Sequence, residues 1–155
     1  MTPAIRAAEK AKIQFEIREY RHDPRAESYG LEAAAALGVP VEQGFKTLIA
    51  KLDTRELVAA LVPVHKQLDL KTLASALGVK KVEMAEVVEA ERTTGYVSGG
   101  ISPLGQRKRL RTVADVSILR LERVFVSAGR RGMDVALLPS DLLRLCDAIT
   151  APIAR

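Results

Sequence analysis

The chain has one cysteine, Cys146, no tryptophan, and two histidines, His22 and His65, among its 155 residues. A single thiol excludes an internal disulfide framework and fits a reducing cytosol. Two histidines and one cysteine, all distant in sequence, lack the ligand spacing of a structural zinc site. Aromatic residues make up only 4%, too few for extended stacking on single-stranded nucleic acid. No apolar run reaches the length of a membrane span, and Met1-Thr2-Pro3-Ala4-Ile5-Arg6 lacks a signal-peptide core. Familiar catalytic signatures are missing too: no serine sits in a G-x-S-x-G elbow, and no glycine run has the form G-x-x-x-x-G-K-[ST]. Cys146 falls four residues after Leu142 on an apolar helical stripe, which reads as a buried structural thiol. His22 and His65 stand in loop or strand-end positions, where a surface role is the ordinary one. Any enzyme reading has to account for the lack of a triad.

What is present has the balance of one soluble globular domain spanning residues 1–155, with 48% apolar and 28% charged residues. The pattern is organised around a glycine-rich, proline-stiffened loop, Ser98-Gly99-Gly100-Ile101-Ser102-Pro103-Leu104-Gly105. Glycines permit φ > 0 and close approach of another molecule, and Pro103 biases Ser102 away from helix. Arg107, Lys108, Arg109 and Arg111 follow, and no acidic residue lies between Glu91 and Asp115. That window, with Arg92, carries the whole net charge of +5, so one lip is basic and the remainder is neutral. A polyanion docked beside the loop fits this pattern. A tight turn followed by a solvated charged strand fits it equally well.

The elements read as a mixed set. Thr2 and Pro3 open a first helix, Phe15 and Ile17 alternate into a strand ending near Tyr20, and Ser28 caps an alanine-rich helix closed by Gly38. Phe45–Lys51 and Leu57–Val64 read as a hairpin, Asp69 caps a helix closed by Gly78, and Val82–Met84 and Ala85–Arg92 as a short strand and a helix. Val124–Ser127 and Met133–Leu138 form a second hairpin, and Ser140 caps a last amphipathic helix. Strands and helices do not alternate regularly, which predicts an α+β fold around a curved sheet or small barrel. Lys46 precedes the apolar Leu48-Ile49-Ala50 stretch. Its ammonium either faces a phosphate or carbonyl at the mouth of a buried strand or snorkels to solvent.

Several segments, taken in order, sharpen these readings. They are Met1-Thr2-Pro3-Ala4, Tyr20 with His22-Asp23-Pro24, Phe45-Lys46-Thr47-Leu48, Gln67-Leu68-Asp69-Leu70-Lys71 and Val79-Lys80-Lys81-Val82-Glu83-Met84-Ala85. Thr94-Gly95-Tyr96, Gly99–Gln106, Val126-Ser127 and Gly129-Arg130-Arg131-Gly132 complete the set. In this order the chain resembles the bacterial YbaK/EbsC family of aminoacyl-tRNA deacylases nearly end to end. The resemblance implies an α+β fold with a mixed, barrel-like β-sheet surrounded by helices, shared with editing domains of bacterial prolyl-tRNA synthetases. It implies cleavage of the ester between a wrong amino acid and the tRNA 3′-terminal adenosine, with Cys-tRNA(Pro) as substrate.

By the same resemblance, Lys46 and Gly100 are catalytic, and Tyr20, Tyr29, Thr47, Gly99, Ile101, Ser102, Ser127 and Asp134 bind the substrate. Arg107, Lys108, Arg109 and Arg111 then hold tRNA. The family is thought to use no protein nucleophile: the substrate's own thiol attacks its ester carbonyl and leaves as a thiolactone. Tyr29 departs from the phenylalanine expected in close relatives and adds a hydroxyl to the pocket wall. The resemblance implies no cofactor and no metal, prolyl-tRNA synthetase as the partner, no DNA, no membrane, and a cytoplasmic setting. Water-driven deacylation of alanyl or another small aminoacyl-tRNA, and a non-catalytic tRNA- or synthetase-binding module, are the rival expectations.

Overall fold

A computed structural model describes residues 1–155. Helix α1 (Pro3–Ala11) starts where the Thr2 hydroxyl accepts the Ile5 N–H, with Pro3 in the first turn. Strand β1 (Phe15–Glu19) follows, then α2 (Tyr29–Leu37), capped by Ser28 and ended by Gly38 in the left-handed region. Strands β2 (Phe45–Leu52) and β3 (Leu57–Pro63) form the first hairpin, and α3 (Leu70–Leu77) runs from an Asp69 cap to Gly78. Next come β4 (Val82–Met84), α4 (Val87–Thr94) and the long glycine loop, which feeds β5 (Arg111–Asp115). The second hairpin pairs β6 (Val124–Arg130) with β7 (Met133–Leu137), and α5 (Pro139–Cys146) and β8 (Ile149–Ala151) close the chain.

The strands form two sheets, and they do not close into a barrel. One has the order β1-β7-β6 and is antiparallel throughout. The other, β4-β2-β3-β5-β8, is antiparallel on the β4-β2-β3 side and parallel on the β3-β5-β8 side. The sheets meet at a single parallel bridge between Gly44 and Phe125. Two residues further, that register would set Lys46 against Ser127; instead the strands part there. Further along the same edge β2 pairs with β4 only from Ala50 to Leu52, so Lys46–Leu48 keep a free edge toward the gap. This separation is what makes room for a site.

Two apolar cores hold the arrangement, one joining β6 and β7 to α1 and α5, the other packing α3 against β2, β3 and β5. Burial of Leu61, Leu73, Ile118 and Leu142 is complete. Asp115, at the end of β5, accepts the backbone N–H groups of Ser117, Ile153 and Ala154 and the Ser117 hydroxyl. Burial alone would raise its pKa, but these hydrogen bonds outweigh it and hold the carboxyl below its usual value. The C-terminal segment is pinned there.

Two expectations need correction. Helix α5 begins at Pro139 with Leu138 in the cap position, and Ser140 makes no capping bond. The basic run is not a solvated strand: only Arg111 belongs to β5, and Thr112–Asp115 behind it are buried. The expected α+β fold with a mixed sheet stands, the strands dividing into two sheets at the gap beside β2. No helix is long and apolar enough to cross a membrane.

Candidate active site

The gap between β2 and β6 is a cavity of about 350 Å³, roofed by α2 and α4 and lipped by the glycine loop. Its walls include Tyr20, Tyr29, Lys46, Thr47, Gly99, Ile101, Ser127 and Asp134, eight predicted site residues from five separate stretches of chain. Ser127 and Asp134 arrive together because they are cross-strand partners in the second hairpin. Lys46 is the only cation on the walls, and no histidine or cysteine lies there. Burial lowers the Lys46 pKa from its ordinary value, so its ammonium has lost part of its hydration and gains from an anionic partner.

Thr47 is 9% exposed, and its hydroxyl has no hydrogen-bond partner. A buried hydroxyl left unpaired costs about 1–3 kcal/mol. Burial pushes the Asp134 carboxyl up to about 7. Burial, then the Asp134 charge, raises the Tyr20 phenol, against the Gly132 backbone contact. Ser127 Oγ donates to the Gly100 carbonyl at 3.0 Å and accepts the Gly129 N–H at 3.1 Å.

Other predicted residues stand elsewhere. Gly100 lies one layer behind the wall: its N–H donates to the Val97 carbonyl at 2.9 Å and its carbonyl is taken by Ser127. A Cβ there would sit 2.9 Å from the Arg130 Cα, so the loop backbone presses directly on the β6–β7 turn. The amides of Gly99 and Ile101, by contrast, have no protein acceptor. Ser102 is fully buried away from the cavity, its hydroxyl accepting the Leu104 N–H at 3.2 Å, and is a turn residue.

Lys108, Arg109 and Arg111 line a second groove with Arg55, Glu56 and Glu89, at the far end of the β2–β3 hairpin. Six strand residues at about 3.3 Å each separate Lys46 from Leu52, so that groove lies roughly 20 Å from the Lys46 end of the strand. Arg111 is held there by a two-pronged ion pair with Glu56 at 2.8 and 2.9 Å. Arg107 folds over Gly95 toward the Arg92 carbonyl. The basic run is therefore not the lip of the cavity.

Two residues were missed. Gly30 lies inside α2, where a Cβ would come 2.5 Å from Val64 Cγ1; an isolated glycine in a helical pattern was the available signal. Arg131 spans from the β6–β7 turn to the glycine loop, and nothing local announced it. Cys146 lies in α5 with Sγ 3.4 Å from the Pro103 carbonyl, and burial pushes its thiol up to about 12. It is no nucleophile. No group of three His, Cys, Asp or Glu side chains is arranged to hold a metal.

A family model, the aminoacyl-tRNA editing domain, matches residues 23–145 and so takes in every wall of this cavity except Tyr20. The chain belongs to the aminoacyl-tRNA editing domain family. It is accordingly an aminoacyl-tRNA deacylase. A relative from Enterococcus faecalis, provisionally named Cys-tRNA(Pro)/Cys-tRNA(Cys) deacylase EbsC, is 37% identical over 98% of this chain and 92% of its own. The multifunctional Ser/Thr-tRNA deacylase ProXp-y of Escherichia coli K12 is 31% identical over 70% of this chain and 67% of its own. A solved structure described as a provisional trans-editing enzyme for prolyl tRNA synthetase superposes with a TM-score of 0.86. It covers 100% of this chain and 99% of its own at 25% identity.

Proposed function

We propose that this editing domain removes cysteine mischarged onto tRNA(Pro), using the substrate's thiol in place of a protein nucleophile. The observation that carries the reading is a cavity with one cation, Lys46, on its walls beside the glycine-loop residues Gly99 and Ile101, whose amides have no protein acceptor, and with no histidine or cysteine there. The cysteinyl Sγ attacks its own ester carbonyl while the ester C–O bond to the ribose breaks. The thiol proton is released, the ribose oxygen takes up a proton, and the amino acid leaves as a thiolactone. Holding the thiol against the carbonyl in the cleft favours that ring closure, since well-oriented intramolecular attack reaches effective molarities of roughly 10⁵ M or more. Lys46 and the amides of Gly99 and Ile101 face the developing oxyanion, and Gly100 fixes the loop that presents them. Asp134, when ionised, pairs with the substrate ammonium; Tyr20, Tyr29, Thr47 and Ser127 bound the side chain. Arg107, Lys108 and Arg109 take phosphates of the acceptor stem, and prolyl-tRNA synthetase supplies selection among tRNAs.

The test is a deacylation panel of Cys-, Ala-, Ser- and Thr-charged tRNA(Pro), with the released product identified. The proposal expects fastest loss of cysteine and a thiolactone product. Free amino acid as the first product, or equal turnover of Ala-tRNA(Pro), would return the reaction to attack by water. Lys46→Ala is expected to lower kcat/KM about 10²-fold or more at unchanged Tm. Near-normal turnover by that variant removes Lys46 from the mechanism.

A further inference from the structure

We propose that Arg131 is a positioning residue that clamps the glycine loop against Tyr29 and so sets the shape of the cleft mouth; its kinetic side rests on the deacylase reading above. Arg131 stands in the turn between β6 and β7. Its Nε and one terminal nitrogen both donate to the Ser98 carbonyl, at 3.0 and 2.6 Å. The guanidinium carbon lies 4.5 Å from the centroid of the Tyr29 ring, within cation–π range. Gly99 completes the fit, because a Cβ there would stand 2.6 Å from two Tyr29 ring carbons and 2.8 Å from Arg131 Nε. One guanidinium thus joins the hairpin turn, the glycine loop and the first turn of α2.

The geometry asks for arginine in particular. A planar fork can give two N–H groups to one carbonyl and lay its face on an aromatic ring, which a lysine ammonium cannot do. The rest of the loop depends on the same point. The Ser98 N–H donates to Glu91 at 2.8 Å, the Gly100 N–H to Val97 at 2.9 Å, and the Gly100 carbonyl accepts from Ser127 at 3.0 Å. Tyr29, Ser98 and Gly99 are walls of the cavity, whereas Arg131 is not. Arg131 therefore acts through those walls. A displacement of about 1 Å at a near-attack site costs roughly 10²-fold in rate, so a loosened mouth is felt in turnover.

The experiment pairs two readouts on Arg131→Ala, Arg131→Lys and the neighbouring Arg130→Ala: amide hydrogen exchange of the free protein, and kcat and KM measured separately with charged tRNA. Arg130 is the control, since its side chain makes only an exposed pair with Glu19 at 3.5 Å. Arg131→Ala is expected to speed exchange at Ser98 and Gly100 roughly tenfold and to lower kcat about 10- to 100-fold with a smaller change in KM. Arg131→Lys should fall between, and Arg130→Ala should match the native protein. Unchanged exchange in Arg131→Ala overturns the clamp, and faster exchange with native kcat overturns the positioning role. Equal effects of Arg130→Ala and Arg131→Ala assign the change to lost charge and overturn it too. Should the native protein deacylate none of the charged tRNAs, the deacylase reading falls, and the exchange data still decide the clamp.

Discussion

On the proposed function, Asp134 is the residue whose environment most constrains the chemistry. Its carboxyl, pushed up to about 7 by burial, binds a proton in the folded state across a pH range where the unfolded chain has released it. The stability this contributes is fully present below about pH 4 and is lost as pH rises through about 7. Asp134→Asn should therefore have a Tm that stays level between pH 5 and 8, while the native Tm falls over that window relative to it. Activity runs the other way, since only the carboxylate attracts an ammonium: native kcat/KM should rise through about pH 7, and the Asn variant should lose that limb. A native pH–rate profile with no inflection near 7 removes Asp134 from substrate recognition. Tyr20, Lys46, Thr47 and Ser127 were legible as site candidates because ordered sequence segments carried them. Arg131 was not, because Gly129-Arg130-Arg131-Gly132 reads as a complete hairpin turn, and its partner Ser98 lies 33 residues away. Ser102 misled in the opposite sense: a serine beside a proline in a glycine loop resembles a ligand-facing hydroxyl, yet its own turn consumes it.

At the scale of elements, the roof of the cleft depends on how closely α2 approaches the end of β3. Gly30 allows that approach, with Val64 filling the space where a side chain would begin. Gly30→Ala should lower stability by about 1–3 kcal/mol through overpacking and widen the cleft, raising KM. Adding Val64→Ala opens the needed volume, so the double variant should recover part of the lost Tm in a thermal melt. An additive loss would show that the helix is seated by other contacts. The two hairpins and the capped helices were legible because each advertises itself within about ten residues, through alternation, turn chemistry or a cap. Strands β5 and β8 were not. Their pairing is parallel and long-range, β5 against β3 and β8 against β5, and β8 has only three residues to show a pattern. The split between the sheets was equally hidden, since it is a failure of β2 and β6 to continue pairing beyond Gly44 and Phe125.

Across the whole molecule, the cleft at Lys46 and the cationic groove are separate, and on the proposed function that separation predicts how tRNA lies on the surface. Roughly 20 Å divides the Lys46 end of β2 from the groove at the hairpin tip, or about six nucleotides at 3.4 Å each. The groove's cations would then hold phosphates of the stem, well short of the terminal adenosine. They are not equivalent, because Arg111 is already neutralised by its two bonds to Glu56, whereas Lys108 and Arg109 pair with no carboxylate. Each phosphate contact removed should reduce the slope of log K against log salt by about 0.7–0.9. Lys108→Ala and Arg109→Ala should each do so in a tRNA-binding titration, and Arg111→Ala should change the slope much less. The loss in kcat/KM should also shrink when the tRNA is cut back to an aminoacylated end shorter than six nucleotides. If the Arg111 variant matches the other two, the ion pair with Glu56 opens on binding. If none of the three alters the slope, tRNA does not cross this groove, and the net charge of +5 serves another surface.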